Sequence, residues 1–319
     1  MLNDLTLCIP TINRSDYLAR TLKYYSYVDL PCKILIGDSS DDKYKKQNKE
    51  IIKKNDKLNI EYIFCDKNKF KNDAHVLHYL GNFVKTPYVT FSGDDDFLVP
   101  SGVEKCIQIL NNDTTFAASH GVRLNFILNE GKIVHTDTDE GYEFIRENAL
   151  ERWINYMRKG IATVSFIHRI ENWKKQYEMV SKMNCRYLGT ELIICSTAVI
   201  QGRVKRIYDL SVVFQRENPD RIFSFRKYTL WDLINTPEWH KDSNLFIEHV
   251  HKQLREQGFD NKEKVKKEFW FHCLNILINQ FNNIDKKIEM PTEPIDLNLK
   301  IDDPFYPIYN LLITGEINV

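Results

Sequence analysis

The chain has 319 residues, and its formal net charge is zero because 44 lysines and arginines balance 44 aspartates and glutamates. This balance, without any arginine-rich tract, argues against a nucleic-acid-binding protein. The length is sufficient for one large domain or two modest domains with a full hydrophobic core.

The cysteines and the apolar segments indicate the cellular compartment in which we expect the protein. Seven cysteines, an odd number without a Cys-x-x-Cys pair, favour a reduced, cytoplasmic protein with neither a disulfide framework nor a structural zinc site. The N-terminus has no basic segment followed by an apolar one, so we expect no signal peptide. No apolar run approaches the roughly 18 residues that span a bilayer, so any membrane contact is expected to be peripheral.

The first part of the chain alternates predicted strands and helices. Residues 5–11 (LTLCIPT) predict a buried strand, and Ser15 can cap the helix that follows. A second buried strand is predicted over residues 32–37, and an exposed, lysine-rich helix over residues 43–57. Residues 59–65 predict the third strand.

The same alternation continues to about residue 128. A helix over residues 72–84 precedes a fourth strand over residues 88–92. Ser101 can cap the next helix, and residues 116–128 predict one or two further strands. Strands separated by helices of this length are typical of βαβ units, so we predict an α/β fold with a mostly parallel sheet.

The pattern changes beyond residue 130. Helices are predicted over residues 141–158, 171–183 and 191–204, and strands over residues 161–168 and 209–215.

The tail from about Pro237 is predicted to be helical and charged. Its clearest element spans residues 265–284, where apolar side chains recur at helical spacing. We interpret this stripe as core or partner-helix packing rather than as a membrane face. Its members are Phe269, Trp270, Cys273, Leu274, Leu277 and Phe281.

Three adjacent carboxylates, Asp94, Asp95 and Asp96, follow the fourth strand closely. Adjacent anions repel one another and rarely persist without a compensating cation. The carboxyl ends of parallel strands face the crevice in which α/β sheets bind ligands. Taken alone, the residues are equally consistent with a solvated acidic turn and with a Mg²⁺ or Mn²⁺ site that holds a diphosphate.

Three segments together resemble a known family. They are CIPTINRSDYLARTL after the start, IGDSS at the end of the second strand and TPYVTFSGDDDFLVPSGVEKCIQIL around the carboxylates. In order, spacing and chemistry they resemble GT-A fold glycosyltransferases, specifically family-2-like bacterial enzymes. The resemblance covers residues 1 to about 120, continues more weakly to about residue 220 and is absent from the tail. It implies a Rossmann-like sheet flanked by helices, with a nucleotide-sugar-binding half over residues 1–120 and an acceptor-binding half over 121–225. The sequence pattern of the tail predicts a helical C-terminal extension over residues 226–319.

The resemblance also implies a nucleotide site. Pro10, Thr11 and Arg14 would lie beside the nucleotide, and Arg14 could pair with phosphate. Asp38, at the end of the second strand, would contact the base, because its carboxylate can accept hydrogen bonds from a base or ribose. The alternative for Asp38 is a local turn, and for Arg14 an exposed residue at a helix start.

The acidic run departs from the family pattern, Asp-x-Asp-Asp, because Gly93 occupies the first position. Counting back from the following proline assigns Asp95, with Asp96, to Mg²⁺ or Mn²⁺ and leaves Asp94 beside the nucleotide. A pair formed by Asp94 and Asp96 is the alternative, and the sequence does not decide between them.

The family's catalytic base is a carboxylate just before a helix, far downstream of the acidic motif. Glu191 fits this description because it follows a glycine turn and begins an apolar helix. A carboxylate there could take the proton from a sugar hydroxyl. The alternative is that Glu191 only favours a helix N-terminus electrostatically. Glu171, Asp209 and Glu217 are the next candidates.

These features predict a metal-dependent enzyme that moves a sugar from a nucleotide-diphosphate donor to a hydroxyl of a glycan or lipid-linked glycan. The resemblance implies inversion at the anomeric carbon and a role in bacterial surface polysaccharide synthesis. A nucleotidyltransferase is one alternative, although the loop after the first strand lacks the glycines such enzymes use for a triphosphate. A non-catalytic scaffold or binding protein with the same fold is the other.

Overall fold

The computed structural model of the protein describes residues 1–159, 165–216, 229–282, 292–295 and 297–317. The strands are β1 (Leu5–Thr11), β2 (Lys33–Asp38), β3 (Ile60–Phe64), β4 (Tyr88–Phe91), β5 (Phe97–Leu98), β6 (Phe116–Asn129), β7 (Lys132–Asp139), β8 (Ile167–Arg169) and β9 (Arg203–Arg216). The helices are α1 (Ser15–Tyr27), α2 (Asp42–Lys54), α3 (Asp73–Leu80), α4 (Pro100–Asn112), α5 (Ala149–Lys159), α6 (Ile170–Tyr177), α7 (Ile193–Gln201), α8 (Leu230–Ile234), α9 (Pro237–Glu256), α10 (Lys262–Phe281) and α11 (Tyr306–Thr314).

Within the described residues, one nine-stranded sheet organises the fold, in the order β3-β2-β1-β4-β8-β6-β9-β5, with β7 paired to β6. The first four strands of this order are parallel, as the βαβ pattern predicts. Strand β8 is antiparallel to β4 and β6, whereas the long strands β6 and β9 run parallel to each other. The prediction of an α/β fold with a mostly parallel sheet is confirmed.

Both faces of the sheet are covered by helices, so that its first strands are buried on both sides. In β1, the side chains of Leu7 and Ile9 enter the core that contains α1, α4 and α11, whereas Cys8 enters the core that contains α3, α6, α7 and the C-terminal helices α9 and α10. This alternation follows from the two-residue period of a strand. It explains why β1 is a continuous apolar run.

The region after residue 130 differs most from the prediction. A hairpin of β6 and β7 extends to Asp139, so the helix predicted over residues 141–158 is shorter and begins at Ala149. The helix predicted over residues 191–204 divides into a π-helical turn and α7, and β9 starts at Arg203. Of the strand predicted over residues 161–168, residues 161–164 lie outside the described part of the chain.

The apolar stripe predicted in the tail divides into a buried and an exposed side. Phe269 and Cys273 are buried, whereas Trp270, Leu274 and Phe281 are exposed. The last residues of the predicted helix, 283 and 284, lie outside the described residues. Within those ranges, no helix is both long and apolar enough to cross a membrane.

Candidate active site

The carboxyl ends of β1, β2 and β4 lie side by side and carry the polar residues that the sequence indicated. Thr11 is the register partner of Asp38, and the acidic turn of Asp94, Asp95 and Asp96 follows β4. The Thr11 hydroxyl donates a hydrogen bond of 2.6 Å to Oδ2 of Asp94. All three aspartates of the turn are buried. The structure therefore has a buried acidic turn rather than a solvated one.

Arg14 joins two of these carboxylates. Its Nη1 lies 2.9 Å from Oδ1 of Asp94, and its Nη2 lies 2.7 Å from Oδ2 of Asp95. Asn13, with a positive φ of 57°, turns the chain between β1 and α1, a conformation that Asn tolerates better than most residues. The guanidinium carbon of Arg14 lies 4.3 Å from the centre of the Tyr17 ring. The guanidinium is thus held between an aromatic face and two carboxylates.

Burial and the charge of the ion-pair partner have opposite effects on the pKa values of Asp94 and Arg14. Burial and the neighbouring Asp95 carboxylate raise the pKa of Asp94 to about 7, against the lowering effect of Arg14. Burial lowers the pKa of Arg14, but the carboxylates of Asp95 and Asp94 more than offset it, so that the pKa is raised. The guanidinium therefore stays charged, while Asp94 gains or loses its proton near neutral pH.

The acidic turn is also fixed to α1 and to the far strand β9. Thr21 donates a hydrogen bond of 2.7 Å to the carbonyl of Asp94. The backbone N–H of Gln215 donates to Oδ1 of Asp96 at 3.0 Å, and Arg20 donates to the Gln215 side chain at 2.6 Å. These partners hold the turn between the two halves of the sheet.

The packing around Gly93 shows why this chain has a glycine where the family pattern has an aspartate. A Cβ atom at this position would lie 2.8 Å from Oδ1 of Asp95 and 2.8 Å from Oδ2 of Asp96. Real Cβ atoms do not approach other atoms so closely, so any side chain here would push the two carboxylates away. The carboxylates of Asp95 and Asp96 therefore converge over the space that the glycine leaves.

The carboxylates of Asp95 and Asp96 are the type of ligand that a divalent cation prefers. Mg²⁺ and Mn²⁺ prefer carboxylate oxygens, and Mg²⁺ commonly binds to one or two carboxylates together with substrate phosphates. Asp95 and Asp96 would supply those carboxylates. Among the described residues there is no group of three or more His, Cys, Asp or Glu side chains arranged to hold a metal. A cation held by Asp95 and Asp96 would therefore need further ligands, such as the phosphate oxygens of a substrate.

Asp38 is fully buried at the end of β2 and accepts three hydrogen bonds. Its Oδ1 accepts from the N–H of Ser40 at 2.8 Å, and its Oδ2 accepts from Asn48 and from the Tyr62 hydroxyl, both at 2.9 Å. The bond from Ser40 forms the local turn that was the alternative interpretation of Asp38. Its contact with a base stays a prediction.

Pro10 is partly buried in β1, where its register partner is Gly37 of β2. It lies one residue before Thr11, at the strand end beside the acidic turn. Its contact with the nucleotide stays a prediction.

Glu191 lies in the π-helical turn Tyr187–Leu192, which directly precedes α7, and it is partly buried. The Tyr187 hydroxyl shares a 2.5 Å hydrogen bond with Nε2 of His272 on α10. Asp242 of α9 accepts 2.5 Å hydrogen bonds from the N–H groups of Asn184 and Cys185, just before the turn. The C-terminal helices thus anchor the segment that carries Glu191, and π-helical turns are frequent at functional sites.

Two of the other base candidates lie on α6 and β9. Glu171 is exposed in the first turn of α6, and Asp209 pairs with Lys105. Glu217 lies outside the described residues. The structure does not bring Glu171 or Asp209 into the hydrogen bonds of the acidic turn.

Sequence reasoning missed several residues of the site, which are Tyr17, Arg20, Thr21, Asn48 and Gln215. A signal existed for α1, because Arg14, Tyr17 and Thr21 recur at helical spacing and so share the face beside the strand ends. No local pattern indicated Gln215, since its contact with the acidic turn joins residues 119 positions apart.

Comparisons with known proteins agree with this architecture. A family model described as Glycosyl transferase family 2 matches residues 6–166. A crystal structure of S. aureus TarS 1–349 in complex with UDP-GlcNAc has a TM-score of 0.56 at 12% identity, over 90% of this chain and 76% of that one. A second TarS structure, in complex with UDP, has a TM-score of 0.53 at 14% identity, over 90% and 75%. At such identities the likeness shows the fold alone.

The sequence matches no curated protein closely enough to indicate a relative. The family model nevertheless spans just over half of the 319 residues, including β1 from its second residue, β2 to β4 and the whole acidic turn. The predicted family resemblance is therefore confirmed, and this chain is a glycosyltransferase that belongs to glycosyl transferase family 2 and has the GT-A fold.

Proposed function

We propose that the protein transfers a sugar from a nucleoside-diphosphate sugar to a hydroxyl of a glycan, in a metal-dependent reaction that inverts the anomeric carbon. The observation that carries this proposal is the buried acidic turn at the carboxyl ends of parallel strands. Its carboxylates converge over Gly93 and face Arg14, which is the chemistry that a diphosphate and a divalent cation require.

In this proposal, the donor lies along the ends of β1, β2 and β4. Asp38 contacts the base or ribose, and Pro10, Thr11 and Arg14 lie beside the nucleotide. Asp94 completes this side of the site through its hydrogen bond from Thr11. TarS, which shares the fold, has been crystallised in complex with UDP-GlcNAc and with UDP, which supports a nucleotide sugar as donor.

Asp95 and Asp96 would hold Mg²⁺ or Mn²⁺. The cation, when bound, neutralises the diphosphate that leaves as the bond between sugar and phosphate breaks. Arg14 contributes a second positive charge at the same place, since its guanidinium already bridges Asp94 and Asp95. Tyr17 and the hydrogen bonds to the acidic turn keep these groups in position before the donor binds.

Glu191 acts as the general base. Its carboxylate takes the proton from the acceptor hydroxyl while that oxygen attacks the anomeric carbon from the side opposite the diphosphate. The nucleotide-sugar-binding half is residues 1–120, and the acceptor-binding half, residues 121–225, includes Glu191. The helical extension, residues 226–319, supports this half through Asp242 and His272.

The biological setting we propose is bacterial surface polysaccharide synthesis in the cytoplasm. The acceptor is a glycan or a lipid-linked glycan, and in the second case the enzyme makes peripheral contact with the inner face of the membrane. All seven cysteines lie within the described residues, are buried and form no disulfide there, which agrees with a reducing compartment.

The proposal is tested by measuring turnover and nucleotide release. A panel of UDP-, GDP- and CDP-sugars is incubated with the enzyme and a glycan acceptor, with Mn²⁺ or with EDTA. We expect one nucleotide class to support release of the nucleoside diphosphate, with Mn²⁺ and not with EDTA. Equal release in EDTA would contradict the metal dependence, and a product with a retained anomeric configuration would contradict the inversion.

A further inference from the structure

Helix α10 has apolar side chains on two opposite sides. Val265, Phe269 and Cys273 are buried in the core against α5 and α9. On the opposite side, five large apolar residues are 40–55% exposed, and the Trp231 ring of α8, 53% exposed, extends them because it lies 6.3 Å from the ring of Phe281. We call this surface the α10 outer face. It consists of Trp231, Trp270, Phe271, Leu274, Ile278 and Phe281.

The α10 outer face is unusual in size and composition. Its members recur at helical spacing, so they form one continuous strip along the helix. From their exposed fractions, the strip presents about 600 Å² of apolar surface, the upper end of the largest patch on a typical monomer. Residues 269–282 contain no charged side chain at all. A strip of this kind indicates a surface that another apolar surface covers.

The charges at the two ends of the strip are opposite. Lys266 and Lys267 are exposed one turn before Trp270, and neither pairs with a carboxylate among the described residues. Asp232, next to Trp231, is exposed at the other end. If two copies of the strip pack in antiparallel orientation, the lysines of each copy lie opposite Asp232 of the other. Parallel packing would place lysines against lysines, which is unfavourable.

We propose that the α10 outer face is a homodimer interface, in which α10 packs against α10 of a second copy about a twofold axis near Leu274. The strip is self-complementary, as an interface related by a twofold axis must be, because the same patch serves both copies. Its apolar centre and charged ends follow the usual anatomy of interfaces. Together the two copies would bury about 1,200 Å², the lower limit of stable interfaces, so we expect a weak dimer with a dissociation constant in the micromolar range.

The experiment measures molecular mass by sedimentation equilibrium for the full chain at about 1 to 100 μM, the range where such a constant is visible. We expect a monomer–dimer equilibrium for the wild type. Ile278→Glu places a charge inside the strip and should weaken the dimer at least 100-fold. Ile301→Glu is the matched control, because Ile301 is 68% exposed but lies outside the strip, and this variant should dimerise like the wild type. Thermal unfolding confirms that both variants are folded.

A cross-linking variant tests the orientation. All seven native cysteines are buried, so Leu274→Cys introduces the one readily accessible thiol among the described residues. A thiol at the twofold axis should form a disulfide-linked dimer under mild oxidation, whereas Phe64→Cys, at an exposed site outside the strip, should not.

A wild type that stays monomeric at 100 μM would overturn the proposal. So would a dimer that Ile278→Glu leaves unchanged. Binding of the monomer to vesicles of anionic phospholipid, lost in Ile278→Glu, would overturn it in favour of a membrane surface.

Discussion

Replacement of Arg14 by Gln should destabilise the protein in a way that depends on pH and on divalent cations. The guanidinium makes close ionic contacts with Asp94 and Asp95, at 2.9 and 2.7 Å, and its side chain is only 16% exposed. Removing one partner of a buried ion pair typically costs 3–5 kcal/mol, because the remaining charge stays buried without compensation. We expect a loss of about 3 kcal/mol in the free energy of unfolding at pH 8 in EDTA.

The sign of the pH dependence follows from Asp94. Because its pKa is raised from the ordinary value of 3.8 to about 7 in the folded protein, the fold loses stability as pH rises between these two values, and the loss is complete above pH 7. Arg14 offsets the cost only where the carboxyl is ionised. The deficit of Arg14→Gln should therefore be largest at pH 8 and smaller at pH 5, where the carboxyl of Asp94 is protonated.

Divalent cations should restore part of the loss. If the acidic turn can bind Mn²⁺, the cation takes over the compensation of the carboxylates, and millimolar Mn²⁺ should raise the unfolding free energy of Arg14→Gln more than that of the wild type. Urea unfolding at pH 5 and pH 8, in EDTA and in Mn²⁺, measures all of these quantities.

Arg203→Gln is the matched control. Arg203 also bridges two carboxylates, Asp113 at 2.9 Å and Glu147 at 3.1 Å. These two carboxylates are far more exposed than those of the acidic turn. The loss of Arg203 should cost about 1 kcal/mol or less and should not respond to Mn²⁺. The reasoning is refuted if Arg14→Gln is as stable as Arg203→Gln at pH 8, or if its deficit is the same at both pH values.

Other predictions address single residues. Glu191→Gln should lower kcat by about 10²- to 10⁴-fold and leave donor affinity nearly unchanged in a titration with the donor, whereas near wild-type turnover would exclude Glu191 as the base. Asp38→Ala should weaken nucleotide binding by about 1–3 kcal/mol without changing pyrophosphate affinity. If calorimetry shows that both affinities fall together, Asp38 supports the fold and does not recognise the base. Gly93→Ala should displace the carboxylates of Asp95 and Asp96 and weaken Mn²⁺-dependent nucleotide binding about tenfold or more, because its Cβ would lie 2.8 Å from each. Unchanged affinity would show that their convergence over Gly93 has no role.

The sequence predicted the parallel half of the fold because its signals are local. An apolar run such as that of β1 identifies a strand buried on both faces, and the acidic turn follows directly from the strand before it. The family motifs added which strand ends lie together, since they place Thr11, Asp38 and the aspartates at the same edge of the sheet.

The features that the sequence did not predict depend on contacts between residues far apart in the chain. The bridge from Arg14 to Asp94 and Asp95 joins residues about 80 positions apart, and the sequence could equally place Arg14 at an exposed helix start. The π-helical turn around Glu191 depends on tertiary contacts from His272, which no helical periodicity reveals. The division of α10 into a buried and an exposed side also depends on which helices pack against it, so the period alone could not assign its apolar residues.

The most direct test of the proposed mechanism is the affinity for UDP and GDP, measured by calorimetry with Mn²⁺ and with EDTA, for the wild type and for Asp95→Asn. The proposal predicts that one of the two nucleotides binds the wild type at least about tenfold more tightly with Mn²⁺, a difference of about 1.4 kcal/mol. It also predicts that Asp95→Asn abolishes the difference while its thermal unfolding stays cooperative. Equal affinity of the wild type in Mn²⁺ and in EDTA, or an unchanged Mn²⁺ effect in Asp95→Asn, would contradict the assignment of the acidic turn as a metal–diphosphate site.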